Sequence, residues 1–307
     1  MTNRASASEP AGSPSAVTVS APAKINLILR ILDRRSDGYH NVWSIMQTVA
    51  LEDEVHLRLS RSGQVHLRCD STELPGDHNN LVHKASVAVL ERARTAVGIE
   101  IELRKKIPLG AGLGGGSSDA AATIVGLNRL LGLGWSQMEM REIAQALGSD
   151  VPFFLFAPSA VVAGRGEAVR PMAVHGTRWA VLVNPGFAVE TRWAYHELAV
   201  SRRGVTPLSD GQRLLNEQTQ VDWRQLKAAA ENDFEAPVFA KHPALGQIKQ
   251  TLLSRGAEIA LLSGSGATVF GLFGDEQSAR RAQTEFLSDR RLKTFVVPTC
   301  SGPVTAA

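Results

Sequence analysis

A glycine-rich stretch at residues 108–122 carries the clearest chemical signal in the chain. It reads Pro-Leu-Gly-Ala-Gly-Leu-Gly-Gly-Gly-Ser-Ser-Asp-Ala-Ala-Ala. Glycine reaches positive φ without a Cβ clash, so such a loop turns tightly and presents its backbone N–H groups. Ser117, Ser118 and Asp119 are N-cap residue types, and the alanines after them favour a helix. Unpaired N–H groups and the helix dipole attract anions at a helix N-terminus, so the stretch predicts a phosphate site.

Two well-known phosphate motifs do not fit this stretch. No lysine follows the glycines, as the pattern Gly-x-x-x-x-Gly-Lys-Ser/Thr requires. A Gly-x-Gly-x-x-Gly match begins at Gly110, but no acidic residue ends a following strand at the distance that dinucleotide binding requires. A flexible linker is the simpler alternative. The strand predicted over 99–103 and the helix start after the glycines argue against it.

Lys24 and Asn26 are two residues apart in an apolar segment, 17–32, that is predicted as a strand. At this spacing their side chains share one face of the strand. Buried polar groups need partners, so the pair is a candidate for contact with a ligand or with another charged residue. An edge strand with a solvated polar face is the alternative.

Two further segments carry residue types suited to chemistry. Tyr39 and His40 follow a tight Asp-Gly turn in the loop 33–41, where they can stack on or hydrogen-bond to a planar ligand. An ordinary hairpin loop has the same composition. Asp150 lies between a predicted helix end and an apolar run, and Pro152 predicts that the chain turns there. Such an acid is a candidate base, although an Asx turn accounts for it equally well.

The composition is that of a soluble globular protein, with 44% hydrophobic and 21% charged residues among 307. This length suits one large or two ordinary domains. A net charge of +3, with both signs interspersed, argues against nucleic acid as a partner.

Location follows from the cysteines and the apolar runs. Cys69 and Cys300 are far apart, predict neither a disulfide nor a metal cluster, and suit the reducing cytosol. No apolar run approaches the ~20 residues of a membrane span. Residues 1–16 lack the apolar core of a secretory signal and are predicted to be a disordered tail. We therefore expect a cytoplasmic protein without a membrane partner.

Hydrophobic periodicity predicts alternating strands and helices. Strands are predicted at 17–32, 42–51, 55–59, 65–69, 99–103, 160–163, 168–172, 179–183, 259–262, 269–273 and 294–298. Helices are predicted at 79–96, 117–131, 136–147, 191–199, 242–254 and 276–287. Residues 200–222 are polar and are predicted to form a variable excursion. The alternation toward the C-terminus is typical of an α+β sandwich domain.

Four separated motifs together resemble one family. The glycine stretch is similar to the phosphate loop of the GHMP kinases, the superfamily of galactokinase, homoserine kinase, mevalonate kinase and phosphomevalonate kinase. The other matching motifs are Pro22-Ala23-Lys24-Ile25-Asn26-Leu27 with the loop 35–40, Gly148-Ser149-Asp150-Val151-Pro152-Phe153, and the glycine turn within 262–270. The triple glycine before the serines looks like the branch whose acceptor alcohol carries a cytidine diphosphate group. The similarity covers nearly all of residues 18 to 275, and the excursion 200–222 stands outside it.

This resemblance implies a two-domain GHMP kinase fold of the α+β class. It implies an ATP-binding, ribosomal-S5-like α/β domain at 17–159 and a ferredoxin-like α/β domain on the substrate side at 160–307. The implied reaction is phosphoryl transfer from ATP, with Mg²⁺, to the 2-hydroxyl of the cytidine-diphosphate-linked alcohol, in isoprenoid biosynthesis. A monomer or weak homodimer is expected.

The resemblance also implies roles for single residues. Asp150 is the expected base, and Lys24 is expected to stabilise charge on the transferred group. The residues expected to hold the phosphates of ATP are Pro108, Leu109, Gly110, Ala111, Gly112, Leu113, Gly114, Gly115, Gly116, Ser117 and Ser118. Those expected to bind the acceptor are Asn26, Tyr39, His40, Thr191, Tyr195, Gly264 and Ser265. The cytosine is expected between Tyr39 and Tyr195, with His40 at its edge. No metal-ligand set is predicted, although Ser117, the phosphates and water are candidates to carry Mg²⁺.

Two alternatives stay open. One is a kinase of the same superfamily that acts on another small alcohol, such as homoserine or mevalonate. The Asp-Gly-Tyr-His loop argues against it, because those alcohols have no nucleobase to stack. The other is a non-catalytic S5-like protein that binds nucleic acid. The presence of Lys24 and Asp150, together with the lack of a dense basic face, argues against that reading.

Overall fold

The computed structural model describes residues 15–304 apart from 73, 75–77, 157, 203–205 and 301–303, so residues 1–14 of the predicted tail lie outside the described residues. The strands are β1 (Ala16–Arg34), β2 (His40–Ser60), β3 (Val65–Cys69), β4 (Gly98–Arg104), β5 (Ser159–Gly164), β6 (Ala168–Pro171), β7 (Ala173–Val174), β8 (Trp179–Asn184), β9 (Gln220–Val221), β10 (Glu231–Asn232), β11 (Ile259–Leu262), β12 (Val269–Phe273) and β13 (Lys293–Pro298). The helices are α1 (Leu81–Ala93), α2 (Gly115–Leu130), α3 (Gln137–Leu147), α4 (Val151–Phe156), α5 (Thr191–Ser201), α6 (Asp210–Glu217), α7 (Trp223–Ala229), α8 (Glu235–Lys241), α9 (Pro243–Ser254), α10 (Glu276–Gln283) and a 3-10 turn at Thr284–Phe286.

The long antiparallel pair β1–β2 forms the middle of the first sheet. Its strand order is β10-β1-β2-β4-β3, and β5 pairs with the other half of β2 and carries β6. Strand β1 alternates between exposed and buried residues at first, then is buried without a break over 21–31. Lys24 and Asn26 are only 3% and 1% exposed, so the alternative of an edge strand with a solvated polar face is wrong.

One strand boundary predicted within the first sheet differs from the structure. The predicted strands 42–51 and 55–59 are one continuous strand, β2. Asp53 does not interrupt it, because its buried carboxylate accepts the backbone N–H of Ile107 at 2.9 Å. Strand β5 begins at Ser159, the last residue of the predicted first domain, and β5 and β6 both hydrogen-bond into this sheet. The domain limits 17–159 and 160–307 stay a prediction.

Helices α1 and α2 cover one face of the first sheet and form its core. Val19 and Leu57 of the strands pack with Ile124 and Leu127 of α2. Helix α2 begins at Gly115, two residues earlier than predicted, because Gly114 is its N-cap in the left-handed conformation at φ 72°. Ser117, Ser118 and Asp119 therefore lie inside the helix, and none of them is its cap.

The turn predicted at Pro152 is the start of a helix. Helix α4 begins at Val151 and is buried over most of its length. Proline is tolerated in the first turn of a helix, where its missing N–H has no intrahelical partner in any case. Asp150 is the residue directly before this helix.

The second sheet has the strand order β11-β12-β8-β13 and is antiparallel throughout. With α9 before β11 and α10 before β13, it has the βαββαβ arrangement of a ferredoxin-like domain, as expected. Within the predicted excursion 200–222, the described residues 206–222 contain regular structure, α6 and β9. Helix α6 has a capping box of Ser209 and Gln212, and buried Gln212 accepts a hydrogen bond from Arg30 of β1 at 2.7 Å.

Among the helices of the described part of the chain, none combines the length and the apolar character that crossing a bilayer requires.

Candidate active site

The glycine loop is fixed between the two sheets by backbone contacts. The N–H of Lys24 on β1 donates to the carbonyl of Leu113 at 2.9 Å, and the N–H of Thr268 donates to that of Ala111 at 3.2 Å. The Ser263 hydroxyl donates to the carbonyl of Gly112 at 2.9 Å. Gly112 has φ 76°, and a Cβ there would lie 2.0 Å from the carbonyl oxygen of Ser263. Glycine is thus required by both the backbone conformation and the close approach.

The start of α2 presents polar groups suited to an anion. Its N-cap, Gly114, has no side chain to satisfy the first N–H groups of the helix. The hydroxyl of Ser118 is buried and has no hydrogen-bond partner among the described residues. The N–H groups, the helix dipole and this hydroxyl can together hold a phosphate group.

Lys24, Asn26 and Asp150 converge beside the loop. The Nζ of Lys24 donates to Oδ1 of Asn26 at 2.6 Å and lies 3.9 Å from Oδ2 of Asp150. The Lys24 side chain is 4% exposed, whereas that of Asp150 is 34% exposed. Burial lowers the pKa of Lys24, and the carboxylate of Asp150 partly offsets this effect. A cation, an amide and an accessible carboxylate therefore meet at one point, as the sequence predicted for Lys24 and Asn26.

Asn26 also joins the first sheet to the second domain. Its Oδ1 accepts the N–H of Gly264 at 2.9 Å, and its Nδ2 donates to the hydroxyl of Ser44 at 2.9 Å. The Nδ2 of Asn232 donates to the carbonyl of Gly264 at 2.9 Å. Ser44 and Asn232 were not identified from the sequence, because only the pairing of β1 with β2 and β10 brings them near Asn26.

A cleft of about 810 Å³ opens in front of these groups. Lys24, Asn26, Gly112, Gly114 and Asp150 line it at one end. The predicted acceptor-binding residues Tyr39, His40, Thr191, Tyr195, Gly264 and Ser265 line it as well. The structure thus brings together both halves of the predicted site.

The aromatic end of the cleft has a specific arrangement. The His40 and Tyr195 rings stack, with centroids 4.8 Å apart, while Tyr39 is 58% exposed. Burial and the nearby Arg34 lower the pKa of His40, which favours the neutral imidazole. Burial, with a smaller effect of Asp150, raises the pKa of Tyr195 to about 12, so its hydroxyl stays protonated near neutral pH.

Not every loop residue lies on the cleft. Gly112 and Gly114 line it, and Gly115, Gly116, Ser117 and Ser118 form the first turn of α2 beside it. The preceding residues 108–111 lead into this turn, where the position of Gly110 faces Ala188 of the second domain. Asp119, which the sequence analysis considered only as a helix cap, forms a buried charged cluster beneath the loop with Asp53 and Lys105, which it did not select.

Two family models match the chain. The GHMP kinases N terminal domain matches residues 80–157, and the GHMP kinases C terminal matches residues 215–289. With the two-sheet fold and the glycine loop, these matches define the chain as a GHMP kinase, an ATP-dependent small-molecule kinase.

Relatives narrow this class further. A protein of Syntrophotalea carbinolica is 40% identical over 277 residues, which are 90% of this chain and 96% of the relative. One of Citrifermentans bemidjiense is 41% identical over 271 residues, which are 88% of this chain and 94% of the relative. Both are named 4-diphosphocytidyl-2-C-methyl-D-erythritol kinase. The chain belongs to this kinase family.

Solved structures agree with this assignment. A crystal structure of 4-(cytidine 5'-diphospho)-2C-methyl-D-erythritol kinase matches with a TM-score of 0.76 at 30% identity, over 93% of this chain and 100% of the other. The homoserine kinase of Cytophaga hutchinsonii matches with a TM-score of 0.74 over 96% and 97% of the two chains, but at 22% identity it shows the shared fold alone. The expected GHMP kinase fold is confirmed.

Proposed function

We propose that this kinase transfers the γ-phosphoryl group of ATP to the 2-hydroxyl of 4-diphosphocytidyl-2-C-methyl-D-erythritol. The products are the 2-phosphate and ADP, in the non-mevalonate route to isoprenoid precursors. The acceptor is the one in the relatives' names. The observation that carries the proposal is the convergence of Lys24, Asn26 and Asp150 beside the glycine loop, in a cleft with an aromatic far end.

In this mechanism the glycine loop holds the phosphates of ATP. Phosphoryl transfer depends on positioning and charge stabilisation more than on covalent chemistry. The uncapped N–H groups at the start of α2 can position the phosphates and stabilise their charge. They belong to the backbone and already point at the site, so no side chain has to reorganise. The hydroxyls of Ser117 and Ser118 are oxygen donors of the type that Mg²⁺ prefers, and they would hold it with water and the phosphates. When bound, Mg²⁺ neutralises charge on the phosphate oxygens.

Asp150 acts as the general base. The hydroxyl that attacks must lose its proton, and an accessible carboxylate within hydrogen-bond reach can accept it. The ammonium of Lys24 lies 3.9 Å from that carboxylate and can stabilise negative charge on the transferred group. Asn26 holds the ammonium on its other side and so fixes its direction.

The far end of the cleft binds the cytosine. Tyr39 offers an exposed ring, Tyr195 offers the ring face that His40 covers in this structure, and His40 offers ring nitrogens for the base edge. The hydroxyls of Thr191 and Ser265 lie 2.9 Å apart and join α5 to the turn at Gly264, which supports a wall of fixed shape for the alcohol portion.

The test is a direct comparison of acceptors. The purified protein, ATP and Mg²⁺ are incubated with the cytidyl-methylerythritol, homoserine and mevalonate in separate reactions, and ADP and phosphorylated product are both measured. We expect turnover with the cytidyl compound at least about a hundredfold above the others, because a site built to pair with a nucleobase rejects ligands that leave its polar groups unpaired. Preferred phosphorylation of homoserine or mevalonate would overturn the proposal. Binding of RNA without turnover would support a non-catalytic protein.

A further inference from the structure

Helix α5 forms part of the cleft wall but is held to the rest of the protein by few buried residues. Thr191 and Tyr195 both belong to this helix and line the cleft. Of its 11 residues, only Ala194 and Leu198 are buried. Its N-cap, Glu190, makes no side-chain capping hydrogen bond. Because a helix of this length is marginal without tertiary contacts, the position of α5 depends on what else holds it.

A buried ion-pair network holds the C-terminal end of α5. Nη2 of Arg202, the C-cap residue, lies 2.8 Å from Oδ1 of Asp233, and its Nη1 donates to the carbonyl of Ile31 on β1 at 2.6 Å. The Asp233 side chain is 3% exposed, and its Oδ2 accepts the N–H of Ile31 at 2.6 Å. Nε of Arg30 lies 3.2 Å from Oδ1 of the same carboxylate. Arg202 therefore joins α5 directly to β1, the strand that carries Lys24.

The same face of α5 is also held at Tyr195. Tyr195 and Arg202 are seven positions apart, which is two helical turns. The Tyr195 ring packs edge-on against Phe234, the residue that follows Asp233, with centroids 4.8 Å apart. Two consecutive residues therefore hold one face of the helix, one at the tyrosine ring and the other at the helix end.

We propose that Arg202 is a positioning residue for the acceptor. By holding the end of α5 on Asp233, it fixes the cleft wall at Tyr195. That wall then stays at a constant distance from Asp150 across the cleft. Arg202 does not itself line the cleft, so its effect passes through the helix. The identity of the acceptor rests on the proposed function, whereas the anchoring of α5 does not.

The test removes the guanidinium in Arg202→Met and keeps a positive charge in Arg202→Lys. Methionine has a similar apolar length, so the packing of the side-chain stem is largely kept. In both variants Asp233 retains Arg30 and the N–H of Ile31, which limits the cost of a buried carboxylate that has lost a partner.

Arg178→Met is the matched control. Arg178 lies 2.9 Å from Glu258, is 24% exposed as against 21% for Arg202, and does not line the cleft. Both methionine variants thus lose one partly buried ion pair, but only Arg202→Met loses the anchor of α5. Hydrogen exchange with mass spectrometry measures the opening of α5 without substrate, and steady-state kinetics give the constants for each substrate.

In Arg202→Met we expect the amides of α5 to exchange about tenfold faster than in wild type, the scale of one charge-assisted hydrogen bond, with those of α2 unchanged. The kcat/KM for the cytidyl acceptor should fall about tenfold, with the KM for ATP unchanged, since a misplacement of about 1 Å can cost up to about 10²-fold. Arg202→Lys should show smaller changes of both kinds. Arg178→Met should show neither change, at a comparable loss of thermal stability.

Four results separate the possible failures. Unchanged exchange of α5 in Arg202→Met would overturn the anchor, and faster exchange with unchanged kinetics would overturn its role in positioning; both leave the proposed function intact. An equal rise in the KM for ATP, or the same kinetic loss in Arg178→Met, would overturn the assignment in favour of general stability. If wild type phosphorylates another alcohol instead, the proposed function fails, and the kinetics with that alcohol decide the role of Arg202 in the same way.

Discussion

The imidazole of His40 lies on the ring of Tyr195, with the ring planes inclined by 21°. Phe234 also contacts Tyr195 edge-on, with centroids 4.8 Å apart. The phenol ring is therefore in contact with two aromatic neighbours. A cytosine that stacks on the face of Tyr195 covered by His40 must take the place of the imidazole, while the exposed Tyr39 lines the same cleft. The expected sandwich of base between Tyr39 and Tyr195 thus requires His40 to move to the edge of the base.

Replacing the Tyr195 ring should weaken binding of the acceptor. Tyr195→Leu keeps an apolar side chain but removes the stacking face, and we expect its KM for the cytidyl acceptor to rise about tenfold or more, since base–aromatic stacking contributes roughly 1–3 kcal/mol. Tyr39→Ala should act in the same direction. Tyr195→Phe is the matched control, and its KM should stay within about threefold because stacking needs no hydroxyl. Initial rates at saturating ATP give these values. A larger effect in Tyr195→Phe than in Tyr195→Leu would point to the hydroxyl instead.

Asp150→Asn should abolish most turnover. An amide has nearly the shape of the carboxylate but cannot accept the proton, so we expect kcat to fall by about 10²–10⁴-fold, the usual contribution of a general base. Binding of ATP should change little, because Asp150 lies beyond the loop. Equilibrium binding of a fluorescent ATP analogue and steady-state kinetics separate the two effects. Turnover within a few-fold of wild type would exclude Asp150 as the base.

The lowered pKa of Lys24 should appear in the pH profile. Burial favours the neutral amine, so its pKa lies below the ordinary 10.5. The charged form is the active one in the proposed mechanism, and it is lost as pH rises through this lowered value. The pH dependence of kcat/KM for ATP reports the free enzyme. We therefore expect kcat/KM to decrease at high pH, with the midpoint of this decrease at a pH below 10.5.

Lys24→Arg is the control for that profile. Arginine stays charged throughout this range, so the residual activity of the variant should lose the alkaline limb. A wild-type limb at or above pH 10.5, or the same limb in Lys24→Arg, would contradict the assignment.

The parts of the fold that the sequence predicted are those with local signals. The Ser136 capping box and the helix that follows it were predicted, since Ser136 and Glu139 are three residues apart. The start of α2 was placed too late, because the left-handed Gly114 replaces a side-chain cap and glycine at an N-cap gives a weaker signal than serine. Helix α6 carries the same local signal, since Ser209 and Gln212 are three residues apart, and the sequence analysis missed it. The contact of Gln212 with Arg30, across 182 positions, leaves no local trace.

The same distinction holds for the site. Lys24 and Asn26 were selected because polar residues in an apolar strand are conspicuous. Gly264 was selected from the glycine turn, but its contacts with Asn26 and Asn232, and the contact of Ser44 with Asn26, depend on strand register and on the packing of the second domain. Ser44 and Asn232 are of residue types common on surfaces, so nothing in the sequence distinguishes these two from solvated residues.

Lys105 should prove essential for the position of the glycine loop. It lies just before the loop and is buried between Asp53, which it contacts closely, and Asp119 of α2, at 2.6 Å. Although burial opposes its charge, the two carboxylates raise the pKa of Lys105. Lys105→Met leaves buried carboxylates without a cation and should lower the free energy of unfolding by about 3–5 kcal/mol, with a raised KM for ATP if the variant folds.

Lys106→Met provides the comparison for Lys105→Met. Lys106 pairs with Glu54 at 3.0 Å, but its side chain is 59% exposed. Its loss should change stability by no more than about 0.5 kcal/mol, as for most surface substitutions. Urea unfolding of both variants measures the difference. Similar stabilities of the two variants would show that the buried cluster does not hold the loop.

Gly112→Ala should separate the close approach of the loop from ordinary backbone strain. Gly112 and Gly134 have φ 76° and 65°, so alanine at either position meets the penalty of the left-handed region, about 1–2 kcal/mol. A Cβ at Gly134 meets nothing within 4 Å, whereas at Gly112 it meets the carbonyl oxygen of Ser263 at 2.0 Å. Gly134→Ala should therefore lower the stability of the protein without changing its kinetics.

Gly112→Ala should lower stability further, and it should also raise the KM for ATP and lower kcat. To relieve the overlap, the loop must move away from the turn at Ser263, and that turn contacts Asn26 through Gly264. Thermal unfolding and kinetics of the two variants measure this difference. Equal losses, with unchanged kinetics in both, would mean that the contact between loop and turn is not needed for catalysis.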